Sequence, residues 1–297
     1  MLRVRKYNME SPLIDKDLVV VNITDVHSDV KKLISALEYA SNVGANIITI
    51  PGDLFDSVDN SHNREIVDTL KKEKDMPIYI SNGNHDLVNF KGKGLFAKAE
   101  ENRNLKYYES LDENANIHVF LSNEEIFYVD GIEVTGFDPG YSWYDKNKES
   151  SELFKVLLDK YVIHFNKSNK FRIMLLHSCN GLIQNNKLAY SLENFNLILS
   201  GHNHSGITPE FIQELSKSNR GFAGPYNKWL MAGSYGYWTK ENTSVILSNG
   251  LTKMGESHGS KLTTNLVNKL LKSDIEVIKL TNGKAHDLKL VSKSVQK

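Results

Sequence analysis

Val19-Val20-Val21-Asn22-Ile23-Thr24 is a nearly continuous apolar run, followed at once by a carboxylate and an imidazole in Asp25-Val26-His27. Such a run fits a strand covered on both faces, the usual setting of a parallel sheet. The same grammar recurs further along the chain. Asn46 to Ile50 closes on Pro51-Gly52-Asp53-Leu54-Phe55-Asp56, and Pro77 to Ser81 leads to Gly83-Asn84-His85-Asp86. Phe171 to Leu176 closes on His177, and Leu197 to Leu199 leads to Gly201-His202-Asn203-His204. Every motif thus falls just beyond the C-terminus of a predicted strand, the rim where α/β sheets bind ligands. Carboxylate, amide oxygen and imidazole together suit a pair of divalent cations better than one structural zinc, which takes four N or S donors in a closed tetrahedron. The chemistry this implies is hydrolysis of a phosphate ester.

The segments between these runs support the same sheet. After Ser28-Asp29, apolar residues recur at Val30, Leu33, Ile34, Leu37 and Ala40 before Gly44, an amphipathic helix with a polar start and a glycine stop. A second helix is predicted around Ile66, Val67 and Leu70. Strand–helix–strand units of this kind pair in parallel through right-handed crossovers. Later, Asp130-Gly131 separates Ile126–Val129 from Ile132–Phe137, a two-residue hairpin signal. A helix through Leu153, Phe154, Leu157, Leu158 and Tyr161 precedes the run at 171–176. Thr243–Leu247, Ile275–Leu280 and His286–Val291 read as late strands, with a turn at Asn282-Gly283. The expected architecture is α/β: two packed mixed β-sheets flanked by helices. It is read as a single domain over 1–297, with 207–297 completing the second sheet and lining the substrate side.

Composition excludes several classes. Lys+Arg and Asp+Glu balance at 36 each, so no global field draws the chain to nucleic acid, and none is expected as an obligatory partner. The single cysteine, Cys179, excludes an intramolecular disulfide framework. The basic start Met1-Leu2-Arg3-Val4-Arg5-Lys6 lacks a following apolar segment, so no signal peptide is expected. Nor is there a run of about 18 apolar residues to span a membrane. The cytoplasm is the expected location, with peripheral membrane association left open. A Gly-x-x-x-x-Gly-Lys phosphate loop is missing. The literal Gly-x-Ser-x-Gly at 255–259 sits in a polar loop, without the strand that a nucleophile elbow needs. A thiol-nucleophile reading of Cys179, two residues after His177, would need a base of its own, and a buried or incidental cysteine near the metals is expected instead.

The ordered set Asp-x-His, Gly-Asp-x-x-Asp, Gly-Asn-His-Asp, His and Gly-His-x-His resembles the signature of the calcineurin-like metallophosphoesterases, intact across residues 17 to 206. The start of the chain and Ser248-Asn249-Gly250-Leu251 further resemble the bacterial YkuE-like branch, with Thr252 where that branch continues with glycine. The resemblance implies a four-layer αββα fold and two divalent ions per chain, Mn²⁺ first, with Fe, Zn or a mixed pair as alternatives. One ion would be held by Asp25, His27, Asp53 and His204, the other by Asp53, Asn84, His177 and His202. Asp53 would bridge the pair at about 3.5–4 Å, and a bridging hydroxide would attack a phosphate mono- or diester. His85 would act on the leaving-group side and Asp56 would orient it. Asp86 falls outside the ligand set.

Each residue has a plainer reading. Asp25 or Asp53 alone serves equally as a helix cap or turn residue. Asn84 alone supplies a turn beside Gly83, and His177 alone reads as a hydrogen-bonded, half-buried histidine. It is the joint order that favours a metal centre. Substrate selection for a small or medium-sized phosphate ester is expected from Gly206–Thr239, where Arg220, Tyr226, Trp229 and Tyr237 are candidates to bind phosphate and stack on a ring. The alternative is that these aromatics cover the second sheet. The loop Asp138–Tyr144 is a further candidate. A metal-dependent nuclease and a non-catalytic scaffold of the same fold are the other functional readings; oligomeric state is not legible.

Overall fold

Apolar runs form the middle of both sheets. The computed structural model describes all residues except 1, 58–60, 92–97, 102–104, 145–150, 163–164, 166–167, 186, 190, 193, 216–218, 222–232, 253–264, 266–270 and 297. The chain runs β1 (Leu2–Ser11), β2 (Leu18–Asn22), α1 (Val30–Asn42), β3 (Ile47–Pro51), α2 (Asn63–Leu70) and β4 (Ile78–Ser81). The pair β5 (Val88–Lys91) and β6 (Lys98–Glu101) precedes α3 (Leu105–Asp112) and β7 (Ile117–Val119). Next come β8 (Ile126–Val129), β9 (Ile132–Phe137), α4 (Ser151–Val162) and β10 (Arg172–Leu176). The short β11 (Ile183–Gln184) and β12 (Lys187–Leu188) lead to β13 (Leu197–Ser200) and α5 (Glu210–Leu215). The last strands are β14 (Gly236–Lys240), β15 (Thr243–Leu247), β16 (Ser273–Asn282) and β17 (Asp287–Gln296).

The first sheet has the order β17-β1-β16-β2-β3-β4-β7 and the second β14-β15-β13-β10-β9-β8. Strands β2, β3, β4 and β7 are parallel, as are β9, β10, β13 and β15. Residues successive along a strand point to opposite faces, and here both faces are covered. Val20 and Ile47 join the core between the sheets, with Val134, Ile173 and Leu199 from the second sheet. Their neighbours Val21 and Ile48 pack outward against Leu33, Ile66 and Tyr108 of α1, α2 and α3. On the far side, Met174, Ile198 and Val245 pack against Trp143, Leu158 and Tyr161. The result is the four-layer αββα arrangement. Among the described residues, no helix is long and apolar enough to cross a membrane.

Local signals hold where they were read. Asp29 caps α1, its Oδ1 accepting the Lys32 N–H at 3.2 Å. Asp130 and Gly131, at φ 48° and 87°, turn the hairpin between β8 and β9.

One expectation needs correction. Residues 207–297 do not all go to the second sheet: β14 and β15 do, whereas β16 and β17 flank β1 in the first. The cause lies in β1, whose alternate residues Arg3, Arg5, Tyr7, Met9 and Ser11 are all buried. Its two arginines neutralise the buried Asp274 of β16: Arg3 through Nε and Nη2, and Arg5 through Nε at 3.2 Å. A buried carboxylate needs such partners, and they fix the register Arg3↔Asp274.

Candidate metal centre

Loops after β2, β3 and β4 of the first sheet and after β10 and β13 of the second carry the motifs to one rim. Their backbones are strained. Asp25, His27, Asp53, His202 and His204 have φ of 54°, 49°, 51°, 73° and 45°, a left-handed conformation that persists outside glycine only where the surroundings impose it. Here the first two loops are zipped together: Asp25 N donates to Gly52 O (3.3 Å), His27 N to Asp53 O (3.0 Å) and Ser28 N to Leu54 O (3.1 Å). On the other flank Thr252 N donates to Asp25 O at 2.9 Å. Two motif glycines make the convergence sterically feasible. A Cβ on Gly83 would lie 2.3 Å from Asp53 Oδ1, and one on Gly201 2.3 Å from Asp25 Oδ2.

The structure brings all seven expected ligands together. Asp25, His27 and His204 offer donor atoms within 4.8 Å of one another, as do Asp53, His177 and His202, and also His27, Asp53 and His85. Asn84 adds its Oδ1, 3.2 Å from His177 Nε2. Asp53 Oδ2 lies 3.1 Å from His177 Nε2 and 3.7 Å from His27 Nε2. Asp53 Oδ1 accepts the His85 N–H at 2.8 Å. Asp25 accepts the His202 N–H at 3.1 and 3.3 Å.

The pattern of lone pairs is what fits a cation. His177 Nδ1 donates to Pro51 O at 2.9 Å, which leaves Nε2 to present a lone pair toward two oxygens, Asp53 Oδ2 and Asn84 Oδ1. His27 and His204 set Nε2 against Nε2 at 3.4 Å, close enough to share one proton or one cation. Acceptors crowded this closely are stabilised by positive charge between them. The electrostatics agree in sign. Burial alone would push the Asp53 carboxyl up, but His177 and His85 hold it well below the usual range. Burial would push His177 down, yet Asp53 raises it to about 9, so without a metal a proton sits on Nε2 facing Asp53, in the place a cation would take. Donor chemistry and geometry therefore support divalent metal binding.

Around the centre the roles are more specific than the sequence suggested. His85 is held through Nδ1 by the main-chain carbonyl of Asp56, at 2.7 Å, and the Asp56 carboxylate stands 3.8 Å from that nitrogen and 3.7 Å from His27 Nδ1. Asp86 braces two ligand loops, accepting from Phe55 N (2.9 Å) and Gly83 N (2.8 Å). Burial and the nearby Asp53 raise its carboxyl to about 7. Ser28 Oγ accepts the Asp56 N–H at 2.9 Å and donates to Asn63 at 2.7 Å. Nothing in the motifs points to Asn63, which arrives from α2. Tyr144 is buried with its ring centroid 6.0 Å from that of His177 and 5.6 Å from that of His202, so the end of the 138–144 loop does reach the centre.

The substrate-binding candidates are described only in part. Tyr226 and Trp229 lie outside the described residues, and Arg220 is exposed. Tyr237 sits on the edge strand β14 with its ring edge-on to Tyr7 of β1, centroids 5.6 Å apart. That contact is compatible with the covering role considered as the alternative.

Comparison with known proteins adds an independent finding. A family model described as calcineurin-like phosphoesterase matches residues 18–206. An uncharacterised metallophosphoesterase of Campylobacter jejuni is 24% identical over 252 residues, covering 79% of this chain; the chain spans 58% of that relative's length. Among solved structures, an archaeal phosphodiesterase aligns with TM-score 0.39 and 9% identity over 79% of this chain and 85% of its own. The NAD nucleotidase of Haemophilus influenzae aligns with TM-score 0.43 and 13% identity over 79% and 45%.

Proposed function

The chain belongs to the calcineurin-like phosphoesterase family, and from that premise we propose a metal-dependent hydrolase of phosphate mono- or diesters, acting on small or medium-sized substrates at a pair of divalent cations, Mn²⁺ first. One observation carries the reading: Asp53 Oδ2 faces both His177 Nε2 and His27 Nε2, at 3.1 and 3.7 Å, and so belongs to two donor sets. Asp25, His27, Asp53 and His204 would hold one ion, and Asp53, Asn84, His177 and His202 the other. Oxygen and imidazole donors in this mixture suit hard to borderline dications. When bound, such a pair supplies an acidified water, its pKa lowered from about 15.7 toward about 7, and neutralises phosphoryl charge.

The chain's own groups do the rest. Asp53 stays ionised at neutral pH. The Pro51 carbonyl fixes the His177 tautomer, so its donor nitrogen is preset. The Asp56 carbonyl holds His85 by Nδ1, which directs Nε2 the opposite way, toward phosphoryl charge or the departing oxygen. Asp86 and Ser28 keep the loops in register.

Metal analysis of purified protein, together with phosphomonoesters, phosphodiesters, nucleotides and lipid phosphates assayed with added Mn²⁺, tests this. About two bound ions and metal-dependent hydrolysis are expected. A protein that binds no divalent ion and hydrolyses no member of the panel would overturn the reading.

A further inference from the structure

Asn203, between the two histidines of Gly201-His202-Asn203-His204, is buried and its side chain is committed to another loop. Its Nδ2 donates to Asn180 Oδ1 at 2.7 Å, and its Oδ1 accepts from Asn180 Nδ2 at 3.2 Å. A longer contact runs from Nδ2 to Gly233 O at 3.5 Å. Asn180 follows His177 by three residues, so this reciprocal amide pair spans the two ligand loops of the second sheet.

The backbone makes the position sensitive. Asn203 has φ −83° and ψ −10°, whereas His202 and His204 on either side sit at φ 73° and 45°. Those two histidines go to different donor sets, His202 with Asp53 and His177, His204 with Asp25 and His27. A rotation at Asn203 therefore changes the distance between the sets. Nearer the strands, the loops are tied by His177 O, which accepts from Gly201 N and Ser200 Oγ, both at 2.9 Å. Beyond that point, where the imidazoles project, the amide pair continues the connection.

We propose that Asn180 and Asn203 form a clasp that sets the separation of the two metal sites, as positioning residues acting through His177, His202 and His204. This rests on the metal-dependent reading above. Two reciprocal hydrogen bonds between planar amides fix angle as well as distance, which the single bond of a hydroxyl would not. Groups that orient metal ligands from behind typically cost about 10–100-fold in metal affinity when removed.

The test is a cycle of full-length Asn180→Leu, Asn203→Leu and the double variant, each titrated with Mn²⁺ by calorimetry and with Co²⁺ by visible absorption. Either single variant should weaken Mn²⁺ binding by about 10–100-fold and shift the Co²⁺ spectrum. The double variant should be no worse than the weaker single one, because one clasp is broken only once. Asn180→Ala, on the more exposed side, gives the same readout if Asn203→Leu does not fold. Wild-type protein that binds neither ion overturns the metal reading and the clasp with it. Wild-type binding with variants unchanged in affinity and spectrum, or single-variant losses that multiply in the double, overturns the clasp alone.

Discussion

Asp53 accepts the His85 N–H on one oxygen and faces His27 and His177 with the other, so Asp53→Ala acts on both donor sets at once. Occupancy of both sites should fall together, whereas His27→Ala or Asn84→Ala should weaken mainly one; metal content of the three variants checks this, and full occupancy in Asp53→Ala would refute the bridge. His85 behaves differently, because its ring is held by a main-chain carbonyl. His85→Ala should keep its metal while turnover drops about 10²–10⁴-fold. If His85 protonates the departing oxygen, the loss should be larger for alkyl esters than for p-nitrophenyl esters; if it stabilises phosphoryl charge, the two losses should be similar. Loss of metal from His85→Ala, or unchanged turnover on alkyl esters, would refute a role in turnover separate from metal binding. Asp56→Asn preserves the Asp56 carbonyl contact to His85, so its loss should be milder than that of His85→Ala.

Elements that carry a motif were legible because the apolar run and the polar stop coincide: β2, β3, β4, β10 and β13 end where the ligand residues begin. Strand β1 was not, because Arg3 and Arg5 occupy inward positions, and the partners that explain them, Asp274 and, for Arg5, Gln213, are distant in sequence. The clasp, Asn63 and the seat of Tyr144 were hidden for a similar reason: each acts on a ligand loop from another part of the chain. Aromatic density from Gly206 to Thr239 was ambiguous, and the contact of Tyr237 with Tyr7 favours a packing role. Tyr237→Ala should lower Tm, since an aromatic pair contributes about 0.5–1.5 kcal/mol beyond its buried area, and should leave KM unchanged for large and minimal substrates alike. A selective rise in KM for the large substrate would return Tyr237 to the pocket.

Across the whole molecule, the polar layer between the sheets links stability to pH. Burial raises the Glu276 carboxyl from 4.5 to about 7, Asp274 adding to the effect, so folding takes up a proton there. The contribution is complete below about pH 4.5 and is lost as pH rises through about 7. Glu276→Gln keeps an acceptor for the Asn22 amide, 2.8 Å away in the parent. It should flatten the decline in stability between pH 5 and 8, read from denaturant unfolding at each pH; an unchanged slope would mean Glu276 is not its source. Synthesis order sets a further constraint. Arg3 and its partner Asp274 are 271 residues apart, and among the described residues β1 pairs with β16 and β17 alone. While the chain is being made, the strands leading to Asp25, Asp53 and Asn84 can assemble early, but β2 keeps an open edge until β16 emerges, the kind of exposed edge that invites aggregation. The Thr252 tie to Asp25 is also made late, so a nascent chain halted before residue 250 should load metal poorly and depend on chaperones, although it already carries every proposed ligand.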